Sequence, residues 1–344
     1  MKNIFIVSND KFFLEKNNIY NSNKNTFTIV NCFIKFKKIF LIARKSKKKL
    51  SFKDKIGNIK LLNFWSIFKN LKKIFKSKIL VISLTPYNFF ISLIFILVGI
   101  NKKNIFLFLR SDGFEEYKVK FGKIGFFIYG FMFFIIKKNL TILTCSKSLT
   151  SVVNPKLIYP SEIDNNWLKN KKKKRNLKKN KKIHLLYAGR FREEKGYASL
   201  IKIYEQLNIN SSLTMIGNDY KYLERKNYPK NKNIKIISQV SNLKELIKYY
   251  DKCDIFILPS YVEAYPQVIL ESLSRLRPII IFNEIKYLKK TFPFGLFNCD
   301  RTSKSLRDNI IKIKKNYNKI QLQILKNKVF TLESFHRDMN KIFK

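Results

Sequence analysis

The chain has 344 residues, a length that suits two domains of about 150 residues each. Hydrophobic residues make up 46%, which excludes intrinsic disorder for most of the chain and supplies material for two cores. Lys and Arg number 70 against 23 Asp and Glu, a formal charge of +47. That charge either marks a polyanionic partner or follows from a composition loaded with the A/T-codon residues Lys, Asn, Ile and Phe.

The first run, Ile4–Val7, is too short for a signal peptide. Short apolar runs then alternate with longer helical ones, the pattern of parallel sheets with crossover helices. Strands are expected over Asn3–Ser8, Phe27–Val30, Ile39–Ala43, Ile59–Leu62, Ile79–Ser83, Asn104–Leu109 and Leu140–Cys145. Helices are expected over Trp65–Phe75, Tyr87–Val98 and Tyr117–Lys137. Ile79–Ile100 carries no charge and reaches membrane-spanning length. Ser83, Thr85, Pro86 and Asn88 divide it, which favours a buried strand followed by a helix entered through Thr85-Pro86. Tyr117–Lys137 is apolar around more of its circumference than a surface helix needs. It is either a crossover helix buried between sheet and neighbours, or an in-plane helix that presses aromatics into headgroups while its lysines meet anionic lipid. Ser146 reads as an N-cap after the last strand of this half.

Lys169–Lys182 has ten Lys or Arg among fourteen residues and no periodicity. It is a solvated interdomain loop or an electrostatic tether to anionic lipid. A second series follows, with strands over Ile183–Ala188, Ser212–Ile216, Ile234–Ser238, Asp254–Leu258, Pro278–Phe282 and Leu296–Asn298. Its helices fall over Lys195–Leu207, Leu243–Tyr250, Pro266–Ser274 and Ser303–Asn316, and the tail Thr331–Phe343 is a further helix. The fold class is therefore α/β, with two Rossmann-like doubly wound domains facing a central cleft. The domains are 1–165, a basic loop over 166–182, 183–325, and a C-terminal helix over 326–344 that can return to the first domain. Cys32, Cys145, Cys253 and Cys299 form no CxxC pair, and only His184 and His336 could assist them, so no metal site is expected. Free thiols fit a reducing cytoplasm.

Chemistry concentrates in two loops of the second series. Gly189-Arg190-Phe191-Arg192-Glu193-Glu194-Lys195-Gly196 follows the Ile183–Ala188 strand, at the strand end where doubly wound folds bind ligands. Arg190 and Lys195 beside a helix N-terminus suit a diphosphate. Asp254–Leu258 runs into Pro259-Ser260 and then Glu263-Ala264-Tyr265-Pro266-Gln267-Val268, with Glu271 at the end of the motif. Pro266 suits the first turn of a helix, leaving the amides of Gln267 and Val268 to face an anion. Glu263 and Glu271 can accept several sugar hydroxyls, or Glu263 merely satisfies the helix dipole.

These residues resemble the donor-binding half of retaining glycosyltransferase family 4, the group 1 transferases with the GT-B fold. The G-R-F-x-x-E-K-G element at Gly189–Gly196 and the E-x7-E element from Glu263 to Glu271 stand in that family's order. The resemblance implies that Arg190 and Lys195 neutralise the donor diphosphate, that Gly189 is donor-binding and that Glu263 holds the donor sugar. It further implies that Glu271 holds the ribose, with Tyr265, Pro266, Gln267 and Val268 around the donor. It implies catalysis by Glu263, Arg190 and Lys195 without a metal or other cofactor, and retention of anomeric configuration. The implied partners are a nucleoside-diphosphate sugar, a glycan or lipid-linked acceptor and an anionic membrane surface, with no nucleic acid. The implied setting is the inner face of the plasma membrane in bacterial surface polysaccharide assembly. A nucleotide-sugar epimerase of the same fold, and a catalytically silent polyanion or membrane binder, are the alternatives.

The first half departs from that pattern. The loop after its first strand is Ser8-Asn9-Asp10, with no glycine pair, and no His occurs in the first 183 residues. Asn9, Asp10, Arg110 and Asp112 are the acceptor-side candidates, and Asp112-Gly113 also reads as a simple turn.

Overall fold

In the computed structural model, the described residues are 3–146, 154–169, 177, 182–218, 229 and 231–343. They divide into two compact units, Met1–Glu162 with Thr331–Lys344, and Ile163–Phe330.

The first unit comprises β1 (Asn3–Glu15), β2 (Asn18–Asn21), α1 (Lys24–Asn31), β3 (Lys38–Lys45), β4 (Phe52–Lys55), β5 (Ile59–Leu62), α2 (Ser66–Lys69), α3 (Leu71–Phe75), β6 (Lys78–Ile82), α4 (Pro86–Leu97), β7 (Ile105–Leu109), α5 (Gly113–Asn139), β8 (Thr141–Thr144) and β9 (Lys156–Leu157). The strands β5-β3-β1-β6-β7-β8-β9 are parallel neighbours, and β2 and β4 add an antiparallel extension to the far end of β1. Successive side chains alternate faces, as a strand requires. Phe5, Val7, Ile79, Val81, Ile105 and Leu107 pack on the α4–α5 side. Ile4, Ile6, Leu80, Ile82, Phe106 and Phe108 pack on the α1 side.

Several expectations change here. Phe27–Val30 is helical rather than extended. Asn23 caps α1 by accepting from the Asn25 amide, and Thr26, Ile29, Val30 and Phe33 recur at helical spacing on the buried face. Parallel β1 and β3 need such a crossover, and that requirement overrides the β-branched composition. The loop read at Ser8-Asn9-Asp10 is a register irregularity within β1, which resumes pairing at Lys11. The helix expected over Trp65–Phe75 is split at Asn70, whose side chain donates to the Ser66 carbonyl. The uncharged stretch Ile79–Ile100 is shared between β6 and α4, where Thr85 caps the helix and Pro86 opens it. α5 starts at its cap Asp112 and bends at Gly122, whose φ of 63° is open to glycine. The helix that Ser146 is expected to cap falls in 147–153, outside the described residues.

The second unit comprises α6 (Asn165–Leu168), β10 (Ile183–Ala188), α7 (Tyr197–Glu205), β11 (Ser211–Gly217), β12 (Ile234–Ser238), α8 (Leu243–Lys252), β13 (Ile255–Leu258), α9 (Gln267–Ser274), β14 (Ile279–Phe282), β15 (Leu296–Cys299), α10 (Ser303–Lys315) and α11 (Tyr317–Ile324). The six strands run parallel in the order β12-β11-β10-β13-β14-β15. Strand order therefore reverses between β10 and β13, and a crevice for ligands opens at their carboxyl ends. The basic loop expected from 166 begins instead as α6, with Trp167 fully buried edge-on to Tyr250. Most of its lysines lie outside the described residues.

The tail helix α12 (Leu332–Phe343) groups with the first unit. Phe335, Met339 and Phe343 are buried beside Phe33, Phe106 and Phe108, and burial of each contributes about 2 kcal/mol.

Candidate functional site

The two loops singled out in the sequence both leave the switch point of the second sheet, one after β10 and one after β13. The first loop turns through Gly196, which has φ 66° and starts α7. A Cβ at Gly196 would collide with the Pro259 carbonyl, so the second loop lies directly against it. The Tyr261 amide donates to the Glu194 carbonyl (3.0 Å), which ties the loops together again.

The charged residues meet across this seam. Lys195 Nζ donates to Glu263 Oε1 at 2.6 Å, and Ser260 Oγ donates to the same oxygen at 2.8 Å. Both members of the ion pair are largely covered, with side chains 20% and 11% exposed. At such burial the pair is screened less than a surface bridge. Arg190 is exposed beside them and its guanidinium has no protein partner among the described residues, while its carbonyl accepts from the Tyr187 hydroxyl (2.8 Å). Burial pushes the Tyr187 phenol well above its ordinary range, so it remains a donor. Gly189 sits at the end of β10, at the base of this loop.

Pro266 caps α9, with Gln267 and Val268 in its first turn, where the helix dipole favours an anion. Glu271 follows one turn later, and its Oε2 accepts from the Tyr250 hydroxyl at 2.5 Å. Tyr250 is fully buried and stacked on Phe256, so it fixes one oxygen of that carboxylate. The Tyr265 ring is buried against Phe292 and Phe330, leaving its backbone to border the site.

Arg301 is the residue that sequence reasoning missed. It donates from Nη1 to Ser199 Oγ (2.7 Å), from Nη2 to the Pro259 carbonyl (2.8 Å) and from Nε to Glu284 (2.6 Å). Its guanidinium lies 3.7 Å from the Tyr261 ring centroid and 4.7 Å from that of Phe282. It thus joins α7 and the second motif loop. Its only sequence signal was a position after a strand and ahead of the Thr302 cap of α10, one cation among 70.

In the first unit, a cavity of about 370 Å³ lies at the equivalent switch point, bordered by the ends of β1, β6 and β7 and by α5. Asn9, Asp10 and Arg110 line it. Asn9 also accepts, through its carbonyl, from Arg44 Nε at 2.9 Å. Asp10 accepts from the Thr26 hydroxyl. Asp112 is not in the lining. Its carboxylate caps α5 by accepting from the Glu115 amide at 3.2 Å, and burial raises its pKa.

His184 is bound into the second sheet, its Nδ1 2.9 Å from Ser212 Oγ. Among the described residues no three His, Cys, Asp or Glu side chains are grouped to hold a metal ion.

Residues 169–328 match the family described as glycosyl transferases group 1. The whole chain is similar in fold to HepE of Anabaena, solved in complex with UDP, at 10% identity and TM-score 0.68 over 99% of both chains. It is similar to WaaG, a glycosyltransferase involved in lipopolysaccharide biosynthesis, at 11% identity and TM-score 0.65 over 99% of both. Sucrose-phosphate synthase of Thermosynechococcus elongatus gives 12% identity and TM-score 0.66, over 100% of this chain and 98% of that one. No curated protein sequence matches the chain. Residues 169–328, nearly all of the second unit, thus match the group 1 glycosyl transferases, within a chain whose fold is GT-B throughout.

Proposed function

We propose that the protein is a retaining, metal-independent glycosyltransferase that moves a sugar from a nucleoside-diphosphate donor to a glycan or lipid-linked acceptor in bacterial surface polysaccharide assembly. The observation that carries this reading is the meeting of Lys195 and Glu263 where strand order reverses, beside the N-terminus of α9, with Arg190 exposed in the same loop as Lys195. In this mechanism the donor diphosphate lies against that N-terminus, where Arg190 and Lys195 neutralise the charge that grows on the leaving group. The bond from the anomeric carbon to the phosphate oxygen breaks. The acceptor oxygen bonds to the same face of that carbon, and its proton passes to the departing phosphate. Glu263, oriented by Ser260, holds the donor sugar, while Glu271, steadied by Tyr250, holds the ribose.

The complex of HepE with UDP-glucose supports a nucleotide-sugar donor. The test is thermal unfolding against UDP, GDP, ADP and CMP. A nucleotide present at 100 times its dissociation constant is expected to add about 2.7 kcal/mol, a shift of several degrees. Glu271→Ala is expected to remove the shift. If no nucleotide shifts the midpoint, and nucleic acid or anionic lipid does, the silent binder replaces this reading.

We place the enzyme on the inner face of the plasma membrane through α5. Ile124, Phe127, Phe131 and Phe134 form an exposed stripe on that helix, with Ile124 and Phe127 each 71% exposed. Lys118, Lys120, Lys123 and Lys138 stand around it, and Phe90 and Leu97 of α4 are exposed as well. α5 is long and apolar enough to cross a membrane, yet Tyr129, Met132, Phe133 and Ile136 are buried against the sheet between parallel β7 and β8. An in-plane arrangement keeps that packing and wets only the outer stripe with lipid. Flotation with phosphatidylglycerol vesicles is expected to carry the protein. Phe127→Ser with Phe131→Ser is expected to lower the bound fraction at least about tenfold, and unchanged flotation removes α5 as the contact.

A further inference from the structure

Arg110 closes the inner end of the cavity in the first unit, one residue past β7. Its Nε is sealed from solvent without a hydrogen-bond partner, and no hydrogen bond or ion pair of its guanidinium is present among the described residues. Two of the three neighbouring carboxylates are committed elsewhere, and the third, Glu116, has no ion pair with Arg110. Asp10 accepts from Thr26, and Glu162 pairs with Lys24 (2.8 Å) and accepts from Thr28 (3.2 Å). An arginine held this way leaves a planar fork of donors facing empty space, and such forks match carboxylate and phosphate oxygens.

The rest of the cavity carries both signs, with Asp10 and Glu116 in the lining beside Lys120 and a helix N-terminus. α4, twelve residues long, begins at its wall, with Thr85 and Pro86 in the lining. Lys120 stands at the rim. Ser83, at φ 66°, is held in the left-handed region in the turn between β6 and α4, where Asn88 donates to the Ile82 and Ser83 carbonyls (2.6 and 2.9 Å). Backbone strain retained by dedicated hydrogen bonds marks a turn kept for its shape. Glu116, also in the lining, adds an acceptor for hydroxyl groups.

We infer that this cavity takes a saccharide bearing a carboxylate or phosphate group, with Arg110 receiving the anion and Glu116 a hydroxyl. The inference rests on reading the first unit as the acceptor half of the proposed glycosyltransferase, and it narrows the acceptor to an anionic glycan.

The experiment is calorimetric titration of the full chain with D-glucuronate, glucose 6-phosphate, methyl glucoside and inorganic phosphate, alongside the thermal shifts given by UDP, GDP, ADP and CMP. At least one anionic sugar is expected to bind roughly tenfold or more tightly than methyl glucoside. Arg110→Gln is expected to abolish that preference while keeping the nucleotide shift. Arg110→Lys, which keeps the charge without the fork, is expected to fall between. Equal affinities for charged and neutral sugars, no measurable binding of either anionic sugar, or a preference that survives Arg110→Gln overturns the inference. Inorganic phosphate binding as tightly as glucose 6-phosphate overturns its saccharide part. The two arms separate the failures. A nucleotide shift with no anion preference sinks only this inference, whereas no shift with UDP, GDP, ADP or CMP in the unaltered chain sinks the donor reading.

Discussion

Glu263→Gln is expected to cut sugar transfer by a hundredfold or more while the protein stays folded and keeps whichever nucleotide shift the unaltered chain gives. The carboxylate lies in the seam between the two motif loops, where it holds Lys195 at 2.6 Å and accepts from Ser260. Gln keeps the volume and one acceptor but loses the charge that fixes the ammonium. Lys195 is then free to drift from the position where it meets the leaving phosphate. Loss of one preorganised group facing developing charge costs about 3 kcal/mol, on the order of a hundredfold in rate. The measurement is turnover with labelled donor, paired with circular-dichroism melting and the nucleotide shift. Activity within tenfold of the unaltered enzyme removes Glu263 from the catalytic machinery. Loss of folding leaves Lys195→Gln as the companion variant, expected to lose rate in the same way.

Arg301→Met is expected to weaken donor binding and stability together. Methionine keeps an apolar stem but loses the guanidinium that lies over Tyr261 and Phe282, its hydrogen bonds to Ser199 and Pro259 and its pair with Glu284. Glu284 stays solvent-accessible, so the cost belongs at the low end for breaking a buried pair, about 3 kcal/mol or roughly 5 °C in midpoint. Because Arg301 ties α7 to the second motif loop, KM for the donor is expected to rise more than tenfold with kcat changed less. Arg301→Lys cannot reach three acceptors in one plane and is expected to rescue little. A melting loss with unchanged KM makes the residue structural alone.

The candidate site could be read in the sequence because local pattern and topology coincide there. Ile183–Ala188 and Asp254–Leu258 are apolar runs that end in loops rich in Gly, Pro and charge, and parallel pairing carries both loops to one edge. The pairing of Lys195 with Glu263 could not be read, since it joins residues whose loops meet only once β10 and β13 are neighbours. Phe27–Val30 misled for a related reason. Its β-branched residues suit a strand by composition, and only the parallel register of β1 with β3 makes a helix obligatory there. β2 and β4 are short, Asn- and Lys-rich strands whose pairing depends on β1 running on past its irregularity, which nothing in Ser8-Asn9-Asp10 announces. Arg301 was hidden by abundance, because its distinction is the set of acceptors it gathers and not its spacing.

The return of α12 has a consequence for how the protein is made. Phe335, Met339 and Phe343 complete a core that otherwise consists of residues before Glu162, yet they follow the whole second unit in the chain. A ribosome therefore releases the first sheet with one face uncovered and must translate Ile163–Phe330 before the helix that covers it appears. During that interval Phe33, Phe106 and Phe108 present a greasy surface to other nascent chains and to chaperones. The second unit, whose sheet and motif loops come from one continuous segment, meets no such delay, so the half translated later is the half free to fold first.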